Sequence, residues 1–191
     1  MPATSATDET TATATASDEG TATAATAAPA IVPYICVHDA AAALAWYADA
    51  FGAVETIRYT GDDGRIGHAE MVISGARLML SDEYPDYDAL SPRALGGTTV
   101  ALTLQVGDVD AVHARAVATG ATSRREPADE PYGERSCTII DPFGHKWMVQ
   151  TPIATPTVEQ VQARTEGFTI TTPTAAVDEP GERQIPPATE T

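Results

Sequence analysis

Two segments set 69 residues apart decide how this chain is read: Val72–Asp82, VISGARLMLSD, and Asp141–Thr151, DPFGHKWMVQT. Each passes from a glycine turn signal into a short, mostly apolar run, and Met79 and Met148 occupy the same place in the two runs. The same offset relates Val37 to Val106, Asp39 to Asp108, Gly64 to Gly133 and Gly75 to Gly144. Matched caps, turns and strand residues at one spacing predict an internal duplication.

Working outward, each half reads as strand, helix and three strands. AIVPYICV has strand composition, and HDAAAALAWYADAFGA follows as a helix with Asp39 as N-cap and Gly52 as stop. ETIRYT, GHAEMVI and ARLMLSD complete the first half. TVALTLQV, the helix GDVDAVHARAVATGA (cap Asp108, stop Gly120), a weaker strand at SRREPAD, then RSCTIID and HKWMVQT form the second. The predicted fold is α+β: two tandem βαβββ modules, about 30–97 and 98–153, forming a curved mixed sheet around a cleft. A short helix within 154–168 follows. Residues 1–29, with nineteen Thr or Ala, and the acidic, proline-rich 169–191 lack the apolar content to order themselves and are expected to be disordered tails.

The formal charge of −16 divides evenly between residues 30–153 and the outer segments. An acidic domain without a basic stripe is a poor fit to nucleic acid or to anionic membranes. No apolar run reaches the roughly 18 residues a membrane span needs. Two cysteines and no basic-then-apolar leader predict a cytoplasmic protein without a disulfide framework.

Period-2 alternation separates the faces of each strand. Val100, Leu102, Leu104 and Val106, with Trp147 and Val149, belong beneath a helix, as do Ala69, Met71 and Ile73. The opposite faces then carry Tyr34, Cys36, His68, Glu70, Thr103 and Gln105 among Val32, Met79, Ala101 and Met148. That mixture suits a small-molecule pocket. His38 and His113 are expected at the surface. Trp46 and Tyr47 are expected in the core, and Cys137 as a buried thiol. Arg135 is the basic candidate for a ligand carboxylate or phosphate, against a structural ion pair. His145 falls on the Trp147 side of its strand.

PYICVHDAAAALAWYADAFGAVE, GRIGHAEMVISGARLMLSDE, GDVDAVHARAVATGA and YGERSCTIIDPFGHKWMVQTP together resemble the vicinal oxygen chelate superfamily, which contains glyoxalase I, extradiol dioxygenases and bleomycin-resistance proteins. The resemblance is nearest to its PhnB-like branch and covers roughly Ala30 to Phe168. It implies a divalent ion held by His and Glu from the first and last strands of the modules. Those positions fall here at Val32, Ala101, Met79 and Met148, none of which supplies an imidazole or carboxylate. No cofactor is therefore expected, with an atypical metal site through His68, Glu70 and a cysteine as the alternative.

Two functions follow. The first is a small-molecule-binding protein of the bleomycin-resistance type, a homodimer as such relatives usually are, that sequesters an organic ligand or drug. Its ligand-binding residues are Tyr34, Cys36, His68, Glu70, Met79, Thr103, Gln105, Arg135 and Met148. The second is an enzyme of the same fold, a lyase, isomerase or dioxygenase, with Glu70 and His68 as its acid–base pair. A partner-binding module using the acidic tails is a third.

Overall fold

The computed structural model describes residues 30–172. The expectations for 1–29 and for 173–191 fall outside the described residues.

The first module comprises β1 (Tyr34–Cys36), α1 (Ala40–Phe51), β2 (Val54–Thr60), β3 (Ile66–Ile73) and β4 (Ala76–Ser81). A connector holds a 3-10 turn at Pro85–Tyr87 and a one-turn helix α2 (Pro92–Leu95). The second module repeats the pattern with β5 (Ala101–Gln105), α3 (Val109–Ala118), β6 (Thr122–Asp129), β7 (Glu134–Ile140) and β8 (Lys146–Pro152). Then α4 (Val158–Arg164) starts on a capping box between Thr157 and Gln160.

The strands form two four-stranded mixed sheets, ordered β1-β4-β3-β2 and β5-β8-β7-β6, each with one parallel pair at the edge. The duplication is visible in details the sequence comparison passed over. Asp82 accepts from the Ala40 amide at 2.7 Å, and Thr151, 69 residues later, accepts from the Val109 amide at 3.0 Å. Each thus satisfies one orphan donor in the first turn of its module's helix. Asp39 and Asp108 cap the same helices as expected. The second helix ends at Thr119, one residue before the predicted glycine.

One offset needs correcting. Ser74 and Gly75, with φ of 48° and 82°, make a two-residue turn between β3 and β4. The corresponding turn in the second module is one residue longer: the Asp141 amide donates to the His145 carbonyl, and Gly144 sits at φ 95°. Glu70 therefore pairs with Met79, while Thr138, only 68 residues later, pairs with Met148. Cys137 corresponds to Ala69 rather than to His68, and it joins the core opposite Val149.

Each helix covers one face of its sheet. Ala69, Met71, Ile73, Trp147 and Val149 are buried as the alternation predicts. Val100 is the exception at 60 % exposed, because it precedes β5 and no helix lies over it. His113 also departs from expectation: it is buried and meets Ser123 Oγ at 2.9 Å beneath β6.

The modules are joined through α1. Trp46, Tyr47 and Phe51 pack with Phe143 and Trp147 of the second module, the Phe51 and Trp147 rings being 4.9 Å apart. Trp46 donates to the Thr119 carbonyl, Arg115 to the Ala50 carbonyl and Tyr47 to Asp141. This junction sets the distance between the edge strands β1 and β5, and the connector closes over the gap.

Candidate functional site

Two places collect chemically competent side chains. The first is the helix-free face of the first sheet. Tyr34 and Glu70 flank Met79 in the register, and His68 lies two residues before Glu70 on β3. His68 Nδ1 is 3.2 Å from the Tyr34 hydroxyl, and its Nε2 is 3.3 Å from Glu70 Oε1. Arg77 donates to the other Glu70 oxygen at 3.4 Å. With the imidazole N–H on Nε2, the ring donates to the carboxylate and presents Nδ1 to the phenol, whose one proton is shared between that nitrogen and the Gly67 carbonyl at 3.3 Å, so the four side chains lie in one polar row. Tyr59 lies against the His68 ring. Sequence reasoning found His68, Glu70, Tyr34 and Met79 but passed over Arg77 and Tyr59, although alternation from Met79 puts Arg77 on the same face.

The helix-free face of the second sheet holds Thr103, Met148 and Thr138 in one register row, with Gln105 and Gln150 in the next. Arg125 reaches Ser136 Oγ and pairs with Glu130. Thr103 and Gln105 are exposed, and no histidine lies in these rows.

The second place is a cavity of about 850 Å³ between β1, β5 and the connector. Its wall is largely apolar, with Pro33, Ile35, Leu90, Leu95, Val100 and Leu102. Tyr34, Cys36, Ser81, His145 and Lys146 supply polar atoms. Among the predicted ligand-binding residues, only Tyr34 and Cys36 line it. More than half of the lining residues come from the connector, between Asp88 and Val100, which has no periodic signal to read. His145 is buried at the cavity edge, 3.0 Å from the Cys36 carbonyl through Nε2. Burial, reinforced by the Glu83 carboxylate, pushes the Cys36 thiol up to about 11. The thiol contributes a polar atom to the wall.

Arg135, predicted as a ligand contact, is directed elsewhere. It forks onto both oxygens of Asp110 at 2.7 Å and reaches Asp129 at 2.8 Å, so its donors are committed to structural ion pairs. Those two carboxylates raise its pKa above the ordinary guanidinium value.

The implied metal does not fit these residues. Met79 and Met148 hold the last-strand positions, beside Tyr34 and Thr103, and their thioethers are poor donors for a hard divalent ion. Among the described residues, no three His, Cys, Asp or Glu side chains converge on one point. No described helix is long and apolar enough to cross a membrane.

The fold agrees with that of known proteins. The chain is 40% identical over 138 residues to "Uncharacterized protein Mb0911c" of Mycobacterium bovis, an alignment covering 71% of this chain and 91% of the relative. It superimposes on TioX from Micromonospora sp. ML1 with a TM-score of 0.53 at 26% identity, over 66% of this chain and 100% of TioX. The PhnB protein of Bacillus cereus shares the fold at 16% identity and a TM-score of 0.51, over 63% and 98% of the two chains. Residues 13–149 match the family described as the glyoxalase/bleomycin resistance protein/dioxygenase superfamily, and the chain belongs to it.

Proposed function

We propose that this protein binds a small organic molecule in the cavity between β1 and β5 and requires no metal to do so. The observation that carries the reading is the cavity itself. Its volume of about 850 Å³ lies within the range typical of small-molecule sites, and its wall is apolar with a few converging polar groups. The family's bleomycin-resistance members make sequestration of a drug-like compound the natural role. Two free cysteines support a cytoplasmic setting. The uncovered sheet faces, with Tyr34 and Tyr59 more than half exposed, support a homodimer, for which light scattering of the purified chain is the check.

Ligand-observed NMR with a library of aromatic fragments tests the binding reading, with Val100→Trp as a blocked-cavity control. Val100 lines the cavity yet is exposed, so the larger ring fills space without disturbing the core. Fragments that bind in the presence of chelator and are lost in the variant are the expected result. Binding that persists in Val100→Trp, or stoichiometric Zn, Ni, Mn or Fe lost in a His68→Ala/Glu70→Ala variant, sinks the reading.

The Tyr34–His68–Glu70–Arg77 chain supports a second reading, a lyase or isomerase acting on a carbonyl compound. Glu70 or His68 would take the proton and Arg77 would hold the carboxylate in place. Turnover that survives in the same double variant removes it.

A further inference from the structure

Beside the cavity lies a second recess, of about 340 Å³, between α2, the residues after it, and the edge formed by β6, β7 and β8. Arg93, Arg124 and Lys146 all line it, and no acidic residue does. That is unusual in a chain with 27 acidic and 11 basic residues. Most other basic side chains here are neutralised: Arg58, Arg65, Arg77, Arg125 and Arg135 each pair with a carboxylate. Among the described residues, no carboxylate lies within 4.0 Å of the charged atoms of the three that line the recess.

Their convergence is built by the fold. Gly144 stands where a Cβ would meet the Pro92 Cβ at 2.9 Å, so α2 sits directly on the β7–β8 turn. That contact carries Arg93 toward Lys146, the first residue of β8. Arg93 is steadied by a 2.7 Å hydrogen-bond contact with His38 Nε2, an imidazole rather than a carboxylate, so no anion compensates its charge. Ile140 and Gly97 form part of the floor. Like charges gathered in a concave wall repel one another, and an anion relieves that repulsion while the field draws it in.

Lys146 also lines the large cavity, and so do Pro92, Gly96, Gly97 and Thr98. The two spaces therefore adjoin along a shared wall. We infer that the recess is an oxyanion subsite, and that the ligand carries a carboxylate, phosphoryl or sulfonyl group joined to an apolar body. The head sits among Arg93, Arg124 and Lys146; the body lies against Leu95, Val100 and Leu102. This deepens the binding reading above and rests on it for the apolar half only.

The test compares naphthalene-2-carboxylate with its neutral isostere naphthalene-2-carboxamide on the full chain, by titration at low salt. The carboxylate binds more tightly by on the order of tenfold, as charge-assisted hydrogen bonds imply. Added chloride erodes that advantage. In an Arg124→Gln variant the advantage is lost while the carboxamide affinity stays put, because Arg124 lines the recess and not the large cavity. The position is exposed, so the variant keeps the fold. Equal affinities in the native chain, or an advantage that survives in the variant, overturn the inference. Inorganic phosphate reads the recess alone through the Nε–H resonances of Arg93 and Arg124. A saturable shift that the variant abolishes sustains the subsite even when neither naphthalene compound binds, a result that removes the apolar-cavity reading instead. No shift with phosphate overturns the subsite.

Discussion

Asp141 should be the most costly single residue to neutralise in the domain. It is 4 % exposed, and all its acceptor capacity is used. Oδ1 accepts from the backbone amides of Phe143 at 2.9 Å and His145 at 2.8 Å. Oδ2 accepts from the Tyr47 hydroxyl at 2.7 Å and Trp147 Nε1 at 2.9 Å. Asp141→Asn keeps the shape but replaces one oxygen with a donor. The amide oxygen stays with the two backbone N–H groups, and the new NH₂ faces Tyr47 and Trp147. Tyr47 can rotate its hydroxyl to accept. Trp147 cannot, since indole only donates. At least two buried donors, the Trp147 N–H and the rotated Tyr47 O–H, are left without an acceptor and the charge is lost from the remaining bonds, which costs about 3–5 kcal/mol. Tyr47→Phe removes one charge-assisted bond and leaves the carboxylate three donors, for about 1.5–3 kcal/mol. At roughly 2–4 °C per kcal/mol for a chain of this size, the melting temperature falls by roughly 3–12 °C in Tyr47→Phe and roughly 6–20 °C in Asp141→Asn. Urea unfolding followed by tryptophan fluorescence measures both, because Trp46 and Trp147 lie in the same cluster. The double variant should lose less than the sum of the two. An Asp141→Asn protein within about 1 kcal/mol of the native chain, or strict additivity with Tyr47→Phe, refutes the claim that this carboxylate joins the modules.

Three further expectations follow from the same contacts. Burial and the Asp141 carboxylate hold the Tyr47 phenol well above its ordinary value, so the neutral form is the one the fold retains. Its contribution is complete below the unfolded phenol's value of about 10 and is lost as pH rises beyond it, so Tyr47→Phe should flatten the alkaline decline seen in native urea curves. Cys36 and Cys137 are both raised to about 11, chiefly by burial, so at pH 8 a thiol reagent should modify the half-buried Cys36 at roughly a hundredth of the rate of a free thiol, and Cys137 only on unfolding. Labelling at the free-thiol rate contradicts the assigned burial. Gly144→Ala combines φ 95° with a 2.9 Å approach to Pro92, so it should destabilise the chain by about 1–3 kcal/mol and weaken binding in the adjoining recess, whereas Gly52→Ala, with nothing near its Cβ, should leave binding unchanged.

The fold was legible because its signals are local. Asp39 and Asp108 cap helices through their own side chains, and Met71 or Val149 can be assigned to a face by counting in twos. The candidate site is legible only where it lies on regular strands, where counting in twos groups Tyr34, His68 and Glu70 on one face. For Arg135 the structure shows the ion-pair alternative, with acids, Asp110 and Asp129, that come from other elements. Two features escaped for separate reasons. His113 looked like a surface residue because its partly buried partner, Ser123, lies on a strand with weak periodicity. The cavity wall escaped because residues 88–100 obey no period, and their placement depends on a contact between Pro92 and Gly144 far away in sequence.

That contact also explains why the halves of a duplicated fold differ where they do. The positions that shape each module are kept in both: the caps, the positive-φ glycines, the paired Met79 and Met148, and the helix-end acceptors Asp82 and Thr151. The chemistry is not kept. His68 and Glu70 correspond to Ser136 and Thr138, so the polar chain exists in one module only. The DPFG turn is longer than its counterpart by one residue, and that residue has two effects. It opens a loop wide enough for Asp141 to gather four donors, one of them from the other module. It also thrusts Gly144 under α2, which sets Arg93 beside Lys146 and draws the connector over the gap between β1 and β5. The same local departure from symmetry fixes the two modules together and makes the concave surface between them. A perfectly repeated turn would provide neither the bond to Tyr47 nor the basic recess, so both features belong to the seam of the duplication rather than to its repeated parts.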